Sequence, residues 1–183
     1  MREELKQMNK IELNKLLELT VWLPIKDYPN YEVSICGQVR NVTTKRILRP
    51  GLASNGYYII TLCKNKKHKS HCIHHLVCKT FIPNVDDKKC IDHIDSNRLN
   101  NTISNLRWAS YQENSFNQQL SSNNTSGIKG VTWHILKKKW QSNIRFNKKL
   151  IYLGSFTNIE DAIIARKKMA KELFGEFLNE IEK

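Results

Sequence analysis

The feature that most limits what this chain can fold into is that its apolar residues come in short runs broken by turn residues. Between Trp22 and Leu62 the text reads YEVSICGQVRNV, then KRILRP, then GYYIITLCK, punctuated by Gly37, Asn55–Gly56 and prolines. After Gly127 the habit returns as GVTWHI, WQSNIRF and LIYLGSF. Such runs predict short strands in small antiparallel sheets. Three segments read as helices. In residues 3–19, Leu5, Met8, Leu13, Leu16 and Leu17 form an apolar stripe. His71 to Phe81 is a second, ended by Pro83–Asn84. The third runs from about Asn158 to Phe177, with Asn158 as N-cap and Glu160 and Asp161 at the positive end of its dipole. The fold class is therefore α+β.

No run approaches the roughly 18 apolar residues that a spanning helix needs, and no signal-peptide core follows Met1. The expectation is a soluble, intracellular protein with no membrane partner, in the host cytoplasm if its source is a phage or bacterium. Cys36, Cys63, Cys72, Cys78 and Cys90 form an odd set with no C-x-x-C pair. That argues against a disulfide framework or a four-cysteine zinc site.

The 183 residues carry 30 Lys+Arg against 17 Asp+Glu, a formal net charge of +13. The excess is localised. Residues 22–69 hold 9 basic and 2 acidic side chains, and residues 127–156 hold 7 basic and none acidic. Residues 70–114 between them hold 5 of each. Two basic arms around a neutral centre point to a phosphate backbone, because each neutralised phosphate releases a condensed counterion. Residues 117–126 (NQQLSSNNTS) have no charge and almost no apolar residue, and read as a linker.

The neutral centre holds the chemistry. Asp92–His93 end a short β-like run and precede an Asn-rich loop. A second strand, Leu106–Ala109, follows Asn105. Ser110-Tyr111-Gln112-Glu113 is a capping-box pattern that starts a helix at Ser110 and puts Asn114 in its first turn. This strand, loop, strand, helix unit would bring a carboxylate (Asp92) and an amide oxygen (Asn114) within reach of one hard divalent cation such as Mg²⁺. His93, beside Asp92, can deprotonate a water.

The text of residues 71–114 (HHLVCKTFIPN, DHIDSNRLNN, NLRWAS and QEN) resembles the HNH nuclease family, in its branch of phage and intron-encoded homing endonucleases. The resemblance implies a central ββα-metal unit with His93 as general base and Asp92 and Asn114 as metal ligands. It also implies Asn105 as the asparagine that ties the loop, and His74 as a further, structural histidine. The last histidine of the family's name is Asn114 in this chain. The implied cofactor is Mg²⁺, with Mn²⁺ as a substitute, and the implied partner is double-stranded DNA. One site per chain implies nicking of one strand by a monomer.

Residues 22–62 resemble the DNA-binding motif often fused upstream of such nucleases, with Arg40, Lys45, Arg46 and Arg49 as phosphate contacts. Arg98, in the nuclease loop, joins this DNA-binding set. Residues 126–177 resemble the Apetala-type domain of plant transcription factors through SGIKGVTW, WQSNIRF, YLGSF and the E-D-A-x-x-A-R helix. That likeness implies a three-stranded sheet in the major groove with a helix behind it, and Lys129, Thr132, His134, Arg145 and Tyr152 facing DNA. Thr132, His134 and Tyr152 depart from the residues usual there, so no base preference carries over.

The expected organisation is an N-terminal helix (1–21), a nuclease-associated motif (22–69), an HNH core (70–116), a linker (117–126) and an Apetala-type domain (127–183). The expected function is a site-specific, metal-dependent DNA endonuclease. The rival is a catalytically inactive DNA-binding regulator on the same scaffold.

Overall fold

The computed structural model describes residues 21–182, so the helix expected in the first 21 residues lies outside the described residues apart from Val21. The chain forms two units: residues 21–93 with 97–108, and residues 94–96 with 109–182.

In the first unit the short runs become strands β1 (Trp22–Ile25), β2 (Tyr28–Ser34), β3 (Val39–Asn41), β4 (Gly51–Leu52), β5 (Tyr58–Lys64) and β6 (Lys67–Cys72). They make two small three-stranded antiparallel sheets, β1-β2-β3 and β4-β5-β6. Residues 42–50 lie between the two sheets, and an isolated bridge joins Ile47 to Arg40 of β3. His71 and Cys72 finish β6, so helix α1 is shorter than the text suggested and spans Ile73–Phe81. Val33, Leu62, Val77 and Cys78 are wholly buried between the sheets and α1. Truncating Leu62 to alanine in such a core costs about 2–5 kcal/mol. Burial pushes the Cys78 thiol up to about 12, which makes it an inert packing group. All five cysteines are unbridged.

Strand β7 (Cys90–His93) pairs with β8 (Leu106–Ala109), and a 3₁₀ turn, Ile103–Asn105, leads into β8. The loop between them rests on the β2–β3 turn. There Ser34 Oγ accepts from the amides of Cys36 at 3.3 Å and Gln38 at 3.0 Å, and the Ile103 amide donates to the Ile35 carbonyl at 2.7 Å. Gly37 (φ +80°) is required in that turn, since a Cβ would stand 2.8 Å from the Asn101 side chain.

The second unit holds helix α2 (Tyr111–Phe116), strands β9 (Val131–His134), β10 (Lys139–Phe146) and β11 (Lys149–Phe156), and helix α3 (Ile159–Phe174). The three strands form one antiparallel sheet in the order β11-β10-β9. Helix α3 buries Ala162, Arg166, Ala170 and Phe174, and Ala162 packs with Ile128 and Val131. Two details differ from the sequence reading. Asn158 occupies the N-cap position without a side-chain cap bond, and the helix ends at Phe174 because Gly175 turns to φ +52°. The stretch expected as a linker lies inside this unit: Asn117 is buried, and Asn124 Nδ2 donates to the Ile128 carbonyl at 2.8 Å.

Candidate active site

Asp92 and His93 are consecutive residues at the end of β7, both about 95% buried. Consecutive residues on a strand point to opposite faces, so the two side chains meet different partners. Asp92 meets Arg107 on the paired strand β8: Nε and Nη2 donate to Oδ2 at 2.8 and 2.7 Å. His93 meets the loop and α1. Its Nε2 lies 3.4 Å from Asn101 Oδ1. Asn101 Nδ2 donates to the Leu99 carbonyl at 3.0 Å, which turns the amide oxygen toward the imidazole. The Nε2 edge of the imidazole therefore faces the Asn101 amide oxygen.

Around His93 stand His74, with ring centroids 5.2 Å apart and near edge-on, and Tyr57 at 5.8 Å. His74 is buried on α1. Burial, with His75 and His93 nearby, pushes its pKa down to about 3, so it stays neutral beside the candidate base. Asn105 donates Nδ2 to the Asn100 carbonyl at 2.9 Å, which closes the Asn-rich loop on itself. Trp108 Nε1 donates to the Ile82 carbonyl at 2.9 Å and ties β8 to the end of α1.

Asp92, His93 and Asn105 all belong to the first unit. Asn114 belongs to the second unit, half-buried in the first turn of α2. The capping box expected at that helix is formed in full: Ser110 Oγ accepts from the Glu113 amide at 3.2 Å, and the Ser110 amide donates to Glu113 Oε2 at 2.6 Å. Asp92 carries a carboxylate and Asn114 an amide oxygen, each a hard donor of the kind that divalent cations accept. Among the described residues no group of three or more His, Cys, Asp or Glu stands where it could hold a metal ion.

Arg107 and Asn101 were given no role by sequence reasoning. The available signal for Arg107 was that it is the lone charge on β8, two residues past the loop asparagine.

The basic residues divide in two. In the first unit Glu32 gathers Arg40 (Nε 2.5 Å) and Lys45 (Nζ 3.0 Å), and Arg40 also stacks on Trp22 at 3.9 Å. Arg46 and Arg49 are exposed, and so are Lys64, Lys66, Lys67 and Lys69 along the β5–β6 hairpin. Arg98 is exposed, with Nη1 on the Asn55 carbonyl at 3.0 Å. In the second unit the register sets Thr132 opposite Gln141, His134 opposite Lys139, Asn143 opposite Tyr152 and Arg145 opposite Leu150. Thr132, His134, Arg145 and Tyr152 therefore share the sheet face away from α3. Lys129 departs from the expectation. Its Nζ turns inward to donate to the Phe116 carbonyl at 2.8 Å and lies 3.8 Å from Glu182, because a buried acid and an orphan carbonyl compete for it.

A buried Asp-His pair on a short hairpin, an asparagine-closed loop and a capped helix after the hairpin define a ββα nuclease unit. Comparison with known proteins agrees: residues 71–116 match the HNH endonuclease family, and residues 21–63 match the NUMOD4 motif. An uncharacterized HNH endonuclease of Acanthamoeba polyphaga mimivirus is 35% identical over 144 residues, covering 79% of this chain and 40% of that protein. The DNA endonuclease I-HmuI of Bacillus phage SP01 is 35% identical over 98 residues, covering 53% of this chain and 56% of its own. The chain thus spans well under two thirds of the length of these relatives. A solved structure of the HNH homing endonuclease I-HmuI, whose subject is DNA binding and cleavage, matches with TM-score 0.52 and 26% identity over 85% of this chain and 84% of that one. The chain carries an HNH endonuclease domain and a NUMOD4 motif, and it is a homologue of that phage homing endonuclease.

Proposed function

We propose that the chain is a site-specific, metal-dependent DNA endonuclease that nicks one strand as a monomer. The observation that carries this reading is the buried Asp92–His93 pair, with His93 packed beside Asn101, His74 and Tyr57. His93, as general base, takes a proton from a water. The resulting hydroxide attacks the scissile phosphorus, and the bond to the 3′ oxygen breaks. Asp92 and Asn114 would hold the cation, and Arg107 orients the Asp92 carboxylate. A bound Mg²⁺, with Mn²⁺ as substitute, supplies positive charge to the scissile phosphate and the leaving oxygen.

DNA is held by the two arms. Arg46, Arg49 and Arg98 serve phosphates from the NUMOD4 side, with Arg40 and Lys45 contributing only as far as Glu32 releases them. In the Apetala-type reading of residues 127–183, the open face carrying Thr132, His134, Arg145 and Tyr152 lies against the duplex. The domain boundaries of the sequence reading belong to this proposal, with residues 117–126 a packed connection inside the second unit.

A second reading has one observation in its favour. The Arg107 guanidinium already pairs with Asp92, as it would in a scaffold that binds DNA and has given up its cation. Relaxation of supercoiled plasmid by wild type and His93→Ala, each with Mg²⁺ and with EDTA, separates the two. The nuclease reading expects metal-dependent nicking that His93→Ala loses by about 10²–10⁴-fold. Tight binding with no nicking across a plasmid library supports the scaffold.

A further inference from the structure

The segment that leaves His93 and the helix that carries Asn114 meet at one buried side chain near the end of the chain. Asn179 is 4% exposed, in the turn after α3. Its Nδ2 stands 2.8 Å from the Asn117 carbonyl, 3.0 Å from Asn117 Oδ1 and 3.4 Å from Ser96 Oγ. Its Oδ1 accepts from the Ile181 amide at 3.1 Å, which fixes the amide so that its N–H side faces Asn117. Asn117 is the C-cap of α2 and is 3% exposed. Asn117 Nδ2 donates to the Ile94 carbonyl at 3.2 Å, and Ser96 Oγ donates to the Asn117 carbonyl at 3.0 Å.

Ile94 is joined to His93 by a peptide bond, and Asn117 follows Asn114 by less than one helical turn. One side chain therefore controls both the exit of the Asp92–His93 strand and the end of the Asn114 helix. Phe116 stacks on Phe174 with centroids 3.8 Å apart, and the sheet packs on α3 through Ile128, Val131 and Ala162. These apolar contacts hold α2 to the unit, but stacked rings slide, whereas a set of hydrogen bonds fixes a position.

We propose that Asn179 is a positioning residue for the nuclease motif: it locks the Ile94–Ser96 segment, which follows His93 in the chain, to the C-cap of α2, the helix that carries Asn114. This rests on the nuclease reading above. A misplacement of about 1 Å at a reacting group costs on the order of 10²-fold in rate, which is the scale expected here.

The test uses the full chain with Asn179→Ala and the isosteric Asn179→Asp, which keeps the oxygen facing Ile181 but donates no N–H to Asn117. Hydrogen exchange is read at the amides of residues 94–97 and 114–117 and across β9–β11. Single-turnover cleavage with Mg²⁺ and DNA affinity are read in parallel. Both variants are expected to raise exchange about tenfold or more in those two segments only. The cleavage rate should fall about 100-fold, with DNA affinity within about twofold of wild type. Unchanged exchange, or exchange raised equally through β9–β11, overturns the proposal. So does a rate that survives raised exchange. If the wild type cleaves nothing, the nuclease reading fails, and the exchange pattern still decides whether Asn179 locks these segments.

Discussion

Each unit buries a carboxylate against an arginine, and the two pairs have different surroundings. In the first, Arg107 reaches Asp92 with Nε and Nη2 on one oxygen, at the strand end that also carries His93. In the second, Arg166 Nη2 stands 2.7 Å from Glu182, with Lys129 on the far oxygen and Arg166 Nε on the Lys129 carbonyl. Burial outweighs the cations for Glu182 and pushes its carboxyl above the usual range. The Glu182 cluster is sealed at 1% exposure and fastens the last turn of the chain to α3 and the segment before β9. The lesson is that a buried ion pair has no role of its own. Its neighbours decide whether it holds a carboxylate beside a candidate base or closes a core.

The largest effect should come from breaking the sealed pair. Arg166→Ala leaves Glu182 buried and uncompensated and should lower stability by about 3–5 kcal/mol, read as a shifted urea midpoint for the second unit. Arg166→Met with Glu182→Leu should recover most of that loss. Arg107→Ala is the counterpart. It should weaken the Mg²⁺ response of cleavage by about 10–100-fold, with a much smaller shift in the urea midpoint. If instead it tightens the metal response, the guanidinium competes for Asp92 and the scaffold reading gains.

Acid should separate the units. His74 is held near 3 against an unfolded value of 6.5, so the unfolded chain binds the proton first. The stability it contributes is fully present above pH 6.5 and falls as pH drops toward 3, by about 2 kcal/mol between pH 6.5 and 5. Glu182 runs the other way: with its folded value raised, acidification toward that value favours the folded second unit. Unit-resolved melting between pH 7 and pH 5 should show the first unit losing stability, and His74→Gln should flatten its profile.

The smallest effects belong to the exposed charges. Single alanine substitutions at Arg46, Arg49 or Arg145 should each reduce the salt slope of DNA binding by about 1. Lys129→Ala should leave that slope unchanged, because its ammonium is already committed to Phe116 and Glu182.

Much of this was legible along the chain because the signals are local. Alternation and turn residues marked β2, β5 and β9–β11, and Ser110 with Glu113 announced the cap of α2 three residues apart. The order Asp92-His93, Asn105, Asn114 could be read because the motif is one short stretch of hairpin, loop and helix. The split into two N-terminal sheets was less legible, since residues 42–50 carry turn chemistry that leaves open which strands pair across it.

What the sequence determined by itself, then, is the set of elements and the chemical inventory of the site, both carried by spacings of a few residues. What only the tertiary structure decided is which polar group meets which. Asp92 finds Arg107 15 residues on, and Asn179 finds Asn117 and Ser96 at separations of 62 and 83. A sequence counts Lys129 and Arg145 as equal charges. Folding turns one inward to an acid at the chain's far end and leaves the other on an open sheet face. The partner of a long polar side chain is set by packing between distant segments, and spacing along the chain holds no record of it.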